Sequence, residues 1–302
     1  SKMSSKSMLV SYNKFDATKN LAFTELADNE RVASQKIAYP RCKMGSREGQ
    51  LLMQSPFIKL DAGGIPSNDS PYHPTVKSRA NGVKLPLEVN PNVKEETKEA
   101  LKKRSSKLSK FRDTLEGIDK HMVTDEMKIQ LFGSLSKAKK YEYVPLVRHP
   151  QELDSDSDDE DGEEKEVKHR PVYCKTKIDL VWGTEDEVQT KVYYENDEPS
   201  GPEDQYVEVE DVKTLEDLRK YMRYMSSNRY VLHFCKLWCD KQPTNGSKYK
   251  KYGLTLKIKR VIYDKNQTIV ASNDDIDDVQ VCVDSDDEGE EEVIKNYMKE
   301  NT

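Results

Sequence analysis

Residues 154–164 read DSDSDDEDGEE, and a run of like charge this dense repels itself and carries nothing to bury. Several such blocks decide which parts of the chain can fold. Residues 1–148 hold 27 Lys/Arg against 17 Asp/Glu, residues 149–170 hold 3 against 10, and residues 273–302 hold 2 against 12. Between them, 185–217 holds 2 against 13, whereas 218–263 holds 12 against 1. The formal net charge of −6 therefore conceals alternating basic and acidic segments. Residues 151–168 are expected to be a disordered acidic loop and 273–302 an acidic tail, with a short helix at 293–298 as the alternative. Residues 195–211, rich in acids, Pro and Gly, read as a third flexible linker. Acidic runs can simply keep a chain in solution. A tethered anionic tail can also occupy a cationic groove and compete there with nucleic acid. Ser155, Ser157 and Ser285 lie in runs that resemble acidophilic kinase sites, where phosphorylation would deepen the negative charge.

What is left for a core is modest: 35% of residues are hydrophobic and 34% charged, which implies a folded part joined to long solvated segments. No apolar run approaches the ~18 residues of a membrane span. Residues 1–19 lack the apolar stretch of a secretory signal, so none is expected. Cys42, Cys174, Cys235, Cys239 and Cys282 form an odd, scattered set, which suits reduced thiols in a reducing intracellular compartment. His233, Cys235 and Cys239 are close in sequence. No second Cys/His pair completes a tetrahedral set, and on one strand the three would share a core-facing side, so no metal is expected.

Local patterns supply the elements. LLMQSPFIKL at 51–60 reads as a strand pair or a strand and bend, broken at Pro56 and closed by Gly63 and Gly64. Residues 83–89 alternate, as an edge strand because of Pro86. From 94 to about 122, Ala100, Leu101, Leu108, Phe111, Leu115 and Ile118 recur at three and four residues, the buried stripe of a helix. Lys102, Lys103, Arg104, Lys107 and Lys110 would form its solvated face. A second helix follows at 125–136. Residues 141–148 alternate as far as Pro145. Residues 173–182 predict a strand with Cys174, Thr176, Ile178, Leu180 and Trp182 on one side and Tyr173, Lys175 and Lys177 on the other; 188–194 would complete a hairpin with it. A helix at 215–225 begins at Thr214, with Asp217 three residues on as a weak capping box. Residues 229–241 form an apolar strand. Residues 252–263 alternate cleanly, with Leu254, Leu256 and Ile258 inward and Thr255, Lys257 and Lys259 outward. The expected class is α+β, mainly β: an OB-like Greek-key barrel core of about five antiparallel strands, with inserted and flanking helices and disordered acidic segments. The expected organisation is an N-terminal arm at 1–45, an OB-like nucleic-acid-binding domain at 46–272 carrying the acidic loop 151–170, and the tail at 273–302.

A single strand of nucleic acid offers phosphates to Lys and Arg and unstacked bases to flat rings. The segment 218–263 supplies both, and strand pairing would bring 173–177 beside it. The candidate binding residues are Arg148, Tyr173, Lys175, Lys177, Tyr230, Trp238, Lys248, Tyr249, Lys250, Lys251, Tyr252, Lys257, Lys259 and Arg260. Each has a plainer reading. Trp182 and Trp238 sit among apolar residues as core side chains would, and Lys257 and Lys259 could merely solubilise a sheet face. The loop KYKK at 248–251 is the strongest single candidate, because a Tyr bracketed by cations is poor core material. There is no G-x-x-x-x-G-K-[ST], no G-x-G-x-x-G and no H-E-x-x-H, so neither enzymatic activity nor a cofactor is expected.

Taken in order, LLMQSPF at 51–57, FRDTLEGID at 111–119, YEYVPLVR at 141–148, YCKTKIDL at 173–180, the strand ending at Trp238 and YGLTLKIKRV at 252–261 resemble the single-stranded DNA-binding proteins of nucleocytoplasmic large DNA viruses. The resemblance covers residues 50–265 loosely, and the acidic insertion at 151–168 departs from it. It implies an OB-fold core, cooperative coating of replication intermediates and no enzymatic activity. The partners then expected are single-stranded DNA, with RNA as the alternative, replication proteins reached through the acidic tail, and further copies of the chain, but no membrane. The place would be the host cytoplasm at a viral factory, the nucleus, or the virion. Two other functions fit the charge blocks: a virion scaffold whose basic and acidic segments pair between subunits, and an acidic chaperone of basic proteins.

Overall fold

Two long strands near the end of the described chain carry the rest of the fold. The computed structural model describes residues 6–91, 97–150, 170–244 and 246–265; the expected acidic loop at 151–168, the tail at 273–302 and the alternative helix at 293–298 lie outside the described residues. In chain order the elements are β1 (Ser7–Ser11), α1 (Ala17–Asn20), β2 (Leu21–Phe23), β3 (Ala27–Asp28), β4 (Gln35–Ala38), β5 (Pro40–Met44), β6 (Arg47–Lys59), α2 (Val76–Asn81), β7 (Val83–Pro86), α3 (Lys98–Met122), α4 (Asp125–Phe132), α5 (Leu135–Ala138), β8 (Tyr141–Val144), β9 (Val147–Arg148), β10 (Tyr173–Ile178), β11 (Lys191–Glu195), β12 (Tyr206–Glu208), α6 (Leu215–Tyr221), β13 (Ser227–Asp240) and β14 (Lys250–Tyr263). Among the described residues no helix is long and apolar enough to cross a membrane.

β13 and β14 pair antiparallel along nearly their whole length. The outer edge of β14 takes three parallel partners in succession: β8 beside residues 250–253, β10 beside 257–258 and β11 beside 260–262. The other edge of β13 takes β6 and then β4, both antiparallel. Fourteen strands join in one network ordered β12-β11-β14-β13-β6-β5-β2, with two ends, so the sheet is open. The chain is mixed α and β with strands dominant, as the sequence indicates. The all-antiparallel pairing expected from sequence is corrected: β1 on β6 and the three partners of β14 run parallel, since long connections and not hairpins bring them there.

Alternation gives the sheet its two faces. Tyr230, Leu232, Phe234, Leu237 and Cys239 of β13 and Tyr252, Leu254, Leu256 and Ile258 of β14 are buried on the inner face. They share a core with Leu108, Phe111, Leu115, Ile118 and Met122 of α3. Truncating a ring as buried as Phe111 would cost roughly 3–5 kcal/mol. The helical stripe starts at Leu108; Ala100 is exposed and Leu101 half-buried, because the first turns of α3 run past the core.

Other local expectations change with tertiary contact. Residues 7–44, read as an arm, belong to the sheet: β1 lies beside β6 and buries Met8, Leu9 and Val10. Pro56 does not break β6. Its missing N–H falls at a register irregularity, where Ser55 Oγ accepts the Tyr230 N–H at 2.9 Å. Residues 195–211 are not a flexible linker. β11 and β12 form a hairpin, and the Asp204 carboxylate accepts from Ser200 N, Ser200 Oγ and Gly201 N across its turn. The helix expected at 125–136 is two pieces, α4 and α5, divided at Gly133 with φ +81°. The hairpin expected between 173–182 and 188–194 shrinks to the Leu180–Val188 bridge, since β10 and β11 each pair with β14 instead.

Candidate nucleic-acid interface

On the outer face the same alternation leaves polar side chains facing out. Across three strands the register sets Lys177 of β10 beside Lys257 of β14, and Thr255 of β14 beside Lys236 of β13. Like charges side by side on a sheet are unfavourable, and they persist where another requirement outweighs the cost. A narrow cleft of about 590 Å³ lies here. Among the described residues its charged lining is Arg148, Lys175, Lys177, Lys236 and Lys251 against one acid, Asp240, and Trp238 lines it too. A wider cleft of about 1010 Å³ adjoins it, and Lys177, Lys236 and Thr255 line both, so the two form one trough. Arg31, Lys77 and Lys257 add positive charge to the wide end, but Glu25, Asp28, Glu30 and Asp179 stand there too.

Each wall is held by specific contacts. Gly253 lets Trp238 lie across β14: a Cβ there would meet Trp238 Cζ2 at 3.1 Å and the Val144 carbonyl oxygen at 3.2 Å. The turn from β8 into β9, the strand that holds Arg148, is pinned to α3 by Asp119. Its carboxylate accepts the Leu146 N–H at 2.7 Å, the Val147 N–H at 3.0 Å and the Tyr143 hydroxyl at 2.8 Å. Burial raises the Asp119 carboxyl above its ordinary value, against the lowering effect of those bonds. On the opposite wall, Arg79 of α2 donates to the Pro66 carbonyl at 2.9 Å and pairs with Glu216, which fixes the helix that carries Lys77.

The lysines differ in their counter-ions. Lys175, Lys177, Lys236 and Lys251 form no ion pair with a carboxylate among the described residues, whereas Arg148 lies close enough to Asp119 for its charge to favour that carboxylate. Burial lowers the Lys177 ammonium below the usual lysine range, and the nearby Lys236, Lys175 and Lys257 push it the same way. Lys257 and Lys259 are compensated by Asp179, at 2.6 and 3.9 Å.

The fourteen expected binding residues divide accordingly. Arg148, Lys175, Lys177, Trp238, Lys251 and Lys257 line the trough. Tyr173 continues its row, opposite Arg148 across the strand pair, with Lys84 Nζ 4.8 Å above its ring. Lys259 is tied to Asp179, and the Arg260 guanidinium lies 5.0 Å over Tyr193, towards β11. The loop at 248–251 contributes Lys251 alone to the trough. Lys248 packs on the Tyr249 ring at 5.0 Å, and Lys250 turns to the other side over Tyr141 at 5.6 Å. Tyr230 and Tyr252 are corrections: both are fully buried, and the Tyr252 hydroxyl donates to the Met122 carbonyl at 2.9 Å. Tyr252 shares the parity of Leu254 and Ile258, which already pointed it inward.

Trp182 departs most from the sequence reading. β10 ends at Ile178, so the alternation that put Trp182 in the core stops short of it, and the indole is 94% exposed. Lys236 and Lys84 were not among the expected residues. Lys236 sits two before Trp238 on the same strand, a signal that was present in the sequence. Lys84 faces Lys175 across β7 and β10, a neighbour no local pattern reveals. A bulge between Phe234 and Lys236 also separates the His233, Cys235 and Cys239 expected on one face. Cys235 lines the wide cleft while Cys239 is in the core. Among the described residues no group of His, Cys, Asp or Glu is placed to hold a metal ion.

No family model matches the chain. The uncharacterized protein R505 of Acanthamoeba polyphaga mimivirus is similar to it, 27% identical over an alignment of 259 residues that covers 82% of this chain. The chain matches 58% of the length of that relative, and so is similar to a little over half of it.

Proposed function

We propose that the protein binds single-stranded nucleic acid, DNA foremost and without sequence preference, along the outer trough, and acts non-enzymatically in viral DNA replication, recombination or repair. The carrying observation is the group of five basic side chains around Trp238 on one exposed sheet face, of which Lys175, Lys177, Lys236 and Lys251 form no ion pair among the described residues. Phosphates would take the ammonium groups and release counter-ions, while a base would stack on the indole. In this reading β10, β14 and β13 serve as the binding face of an OB-like sheet. The likeness to a mimivirus protein supports the viral setting. The acidic residues of 273–302 would compete for the trough or recruit replication proteins.

Fluorescence anisotropy with a dT oligonucleotide tests this. Affinity should fall with salt at a slope of about −0.7 per phosphate neutralised, and deleting 273–302 should tighten binding. Absent or salt-independent binding by the chain lacking 273–302 would reject the proposal. Salt-sensitive self-association without oligonucleotide would instead favour a scaffold.

A further inference from the structure

The wide end of the trough carries two large rings that the fold leaves in solvent: Trp182, 94% exposed, and Tyr39, 53% exposed. Both are held by ordered backbone. The Trp182 turn is closed by the Val181 N–H to the Glu187 carbonyl at 2.8 Å, and by the Thr184 N–H and Oγ1 to the Val181 carbonyl at 3.3 and 2.9 Å. Gly183 takes φ +84° there, a conformation L side chains rarely adopt. Tyr39 exchanges bonds with Thr24: the Thr24 N–H donates to the Tyr39 carbonyl at 3.1 Å, and the Tyr39 N–H to Thr24 Oγ1 at 2.9 Å. An indole fixed in water forgoes the gain of burial, so this placement is unfavourable unless something covers it.

Charge indicates what covers it. The wide cleft is continuous with the lysine floor through Lys177, Lys236 and Thr255. A strand laid along that floor runs into this end. Glu25, Asp28, Glu30 and Asp179 then oppose phosphate oxygens but not the uncharged faces of bases. We propose that Trp182 and Tyr39 form a base-stacking subsite. It receives unstacked bases from a single strand whose phosphates follow Lys175, Lys177, Lys236 and Lys251. This rests on the nucleic-acid reading of the trough and adds to it a second place for bases, at the wide end, beyond the one at Trp238.

The chain has two tryptophans, Trp182 and Trp238, so a Trp238→Phe variant leaves Trp182 as its sole indole. Titrating that variant with a dT oligonucleotide should quench its emission, with saturation matching the anisotropy curve. In the otherwise native full chain, Trp182→Ala should weaken binding about 5- to 100-fold. The dependence of log affinity on log salt should stay unchanged, because no charge is removed. Tyr39→Ala should act in the same direction. Circular dichroism should be unaltered, since Trp182 supports no core. If anisotropy reports binding while Trp182 emission is constant and Trp182→Ala binds like the native chain, the stacking subsite is wrong and the nucleic-acid reading stands. If neither the native chain nor the chain lacking 273–302 binds oligonucleotide at low salt, both fall together.

Discussion

The outer sheet face carries two groups of lysines that differ in whether a carboxylate stands beside them. Around Trp238, Lys175, Lys177, Lys236 and Lys251 have no such partner among the described residues; one strand position away, Lys257 and Lys259 share Asp179. Both groups would look alike on a map of basic residues. Physically they are not. An ammonium already paired must give up its carboxylate before it takes a phosphate, so its net contribution to binding shrinks towards that of a surface ion pair. The unpaired group faces repulsion among its own members, and a polyanion relieves it. The difference predicts a sharp inequality between variants. Replacing Lys175, Lys236 and Lys251 together by Gln should lower oligonucleotide affinity by about two orders of magnitude or more at low salt. The same change should cut the salt slope by roughly 2 units, about 0.7 for each charge lost. Replacing Lys257 and Lys259 together should cost far less. Equal losses in the two variants, by anisotropy over a salt series, would break the comparison.

That contrast also marks how far the sequence could be read. The inward and outward parity of 252–263 was legible, and it correctly separated Ile258 from Lys257. So were the helix of Phe111 and Leu115 and the capping box in which Thr214 and Asp217 bond each other's backbone N–H. Parity fails where a strand stops or bulges. β10 stops at Ile178, and Trp182 leaves the core; β13 bulges near Cys235, and the following residues change face. Pairing between distant strands was legible only in part: 173–177 was expected beside the last strands and β10 does pair with β14. Nothing local shows that Lys84 lies opposite Lys175, or that Asp179 reaches Lys257. Residues 7–44 were misread for the same reason, since β1 is defined by its partner β6 and not by its own pattern.

Asp179 offers the converse variant. Replacing it with Asn keeps the side-chain volume and removes the charge that holds Lys257 and Lys259. Two more ammonium groups then become available, and a carboxylate facing the phosphates is lost. Affinity for the dT oligonucleotide should rise about three- to tenfold, with the salt slope steeper by roughly 1 unit. Thermal stability should fall slightly as the pairs are lost. A weaker-binding variant would mean that Asp179 positions the lysines for the ligand and does not compete with it.

The smallest effect lies with His233, which sits half-buried on the outer face where these lysines converge. Burial, followed by Lys259 and Lys257, pushes its imidazole down to about 4 from an ordinary 6.5, and Asp179 opposes the shift. Between those two values the unfolded chain holds a proton that the folded chain does not. The stability contributed by neutral His233 is therefore complete above pH 6.5 and is lost as pH falls towards 4, below which this group adds no further loss. His233→Gln removes that dependence. Denaturant midpoints at pH 7 and pH 4.5 should differ by less in the variant than in the native chain, by about 1 kcal/mol once solvent screening is allowed for. Asp179→Asn should enlarge the difference, because it removes the one neighbour that favours the imidazolium. A pH profile unchanged by either substitution would mean that neither burial nor the positive field of Lys257 and Lys259 holds His233 neutral in the folded chain.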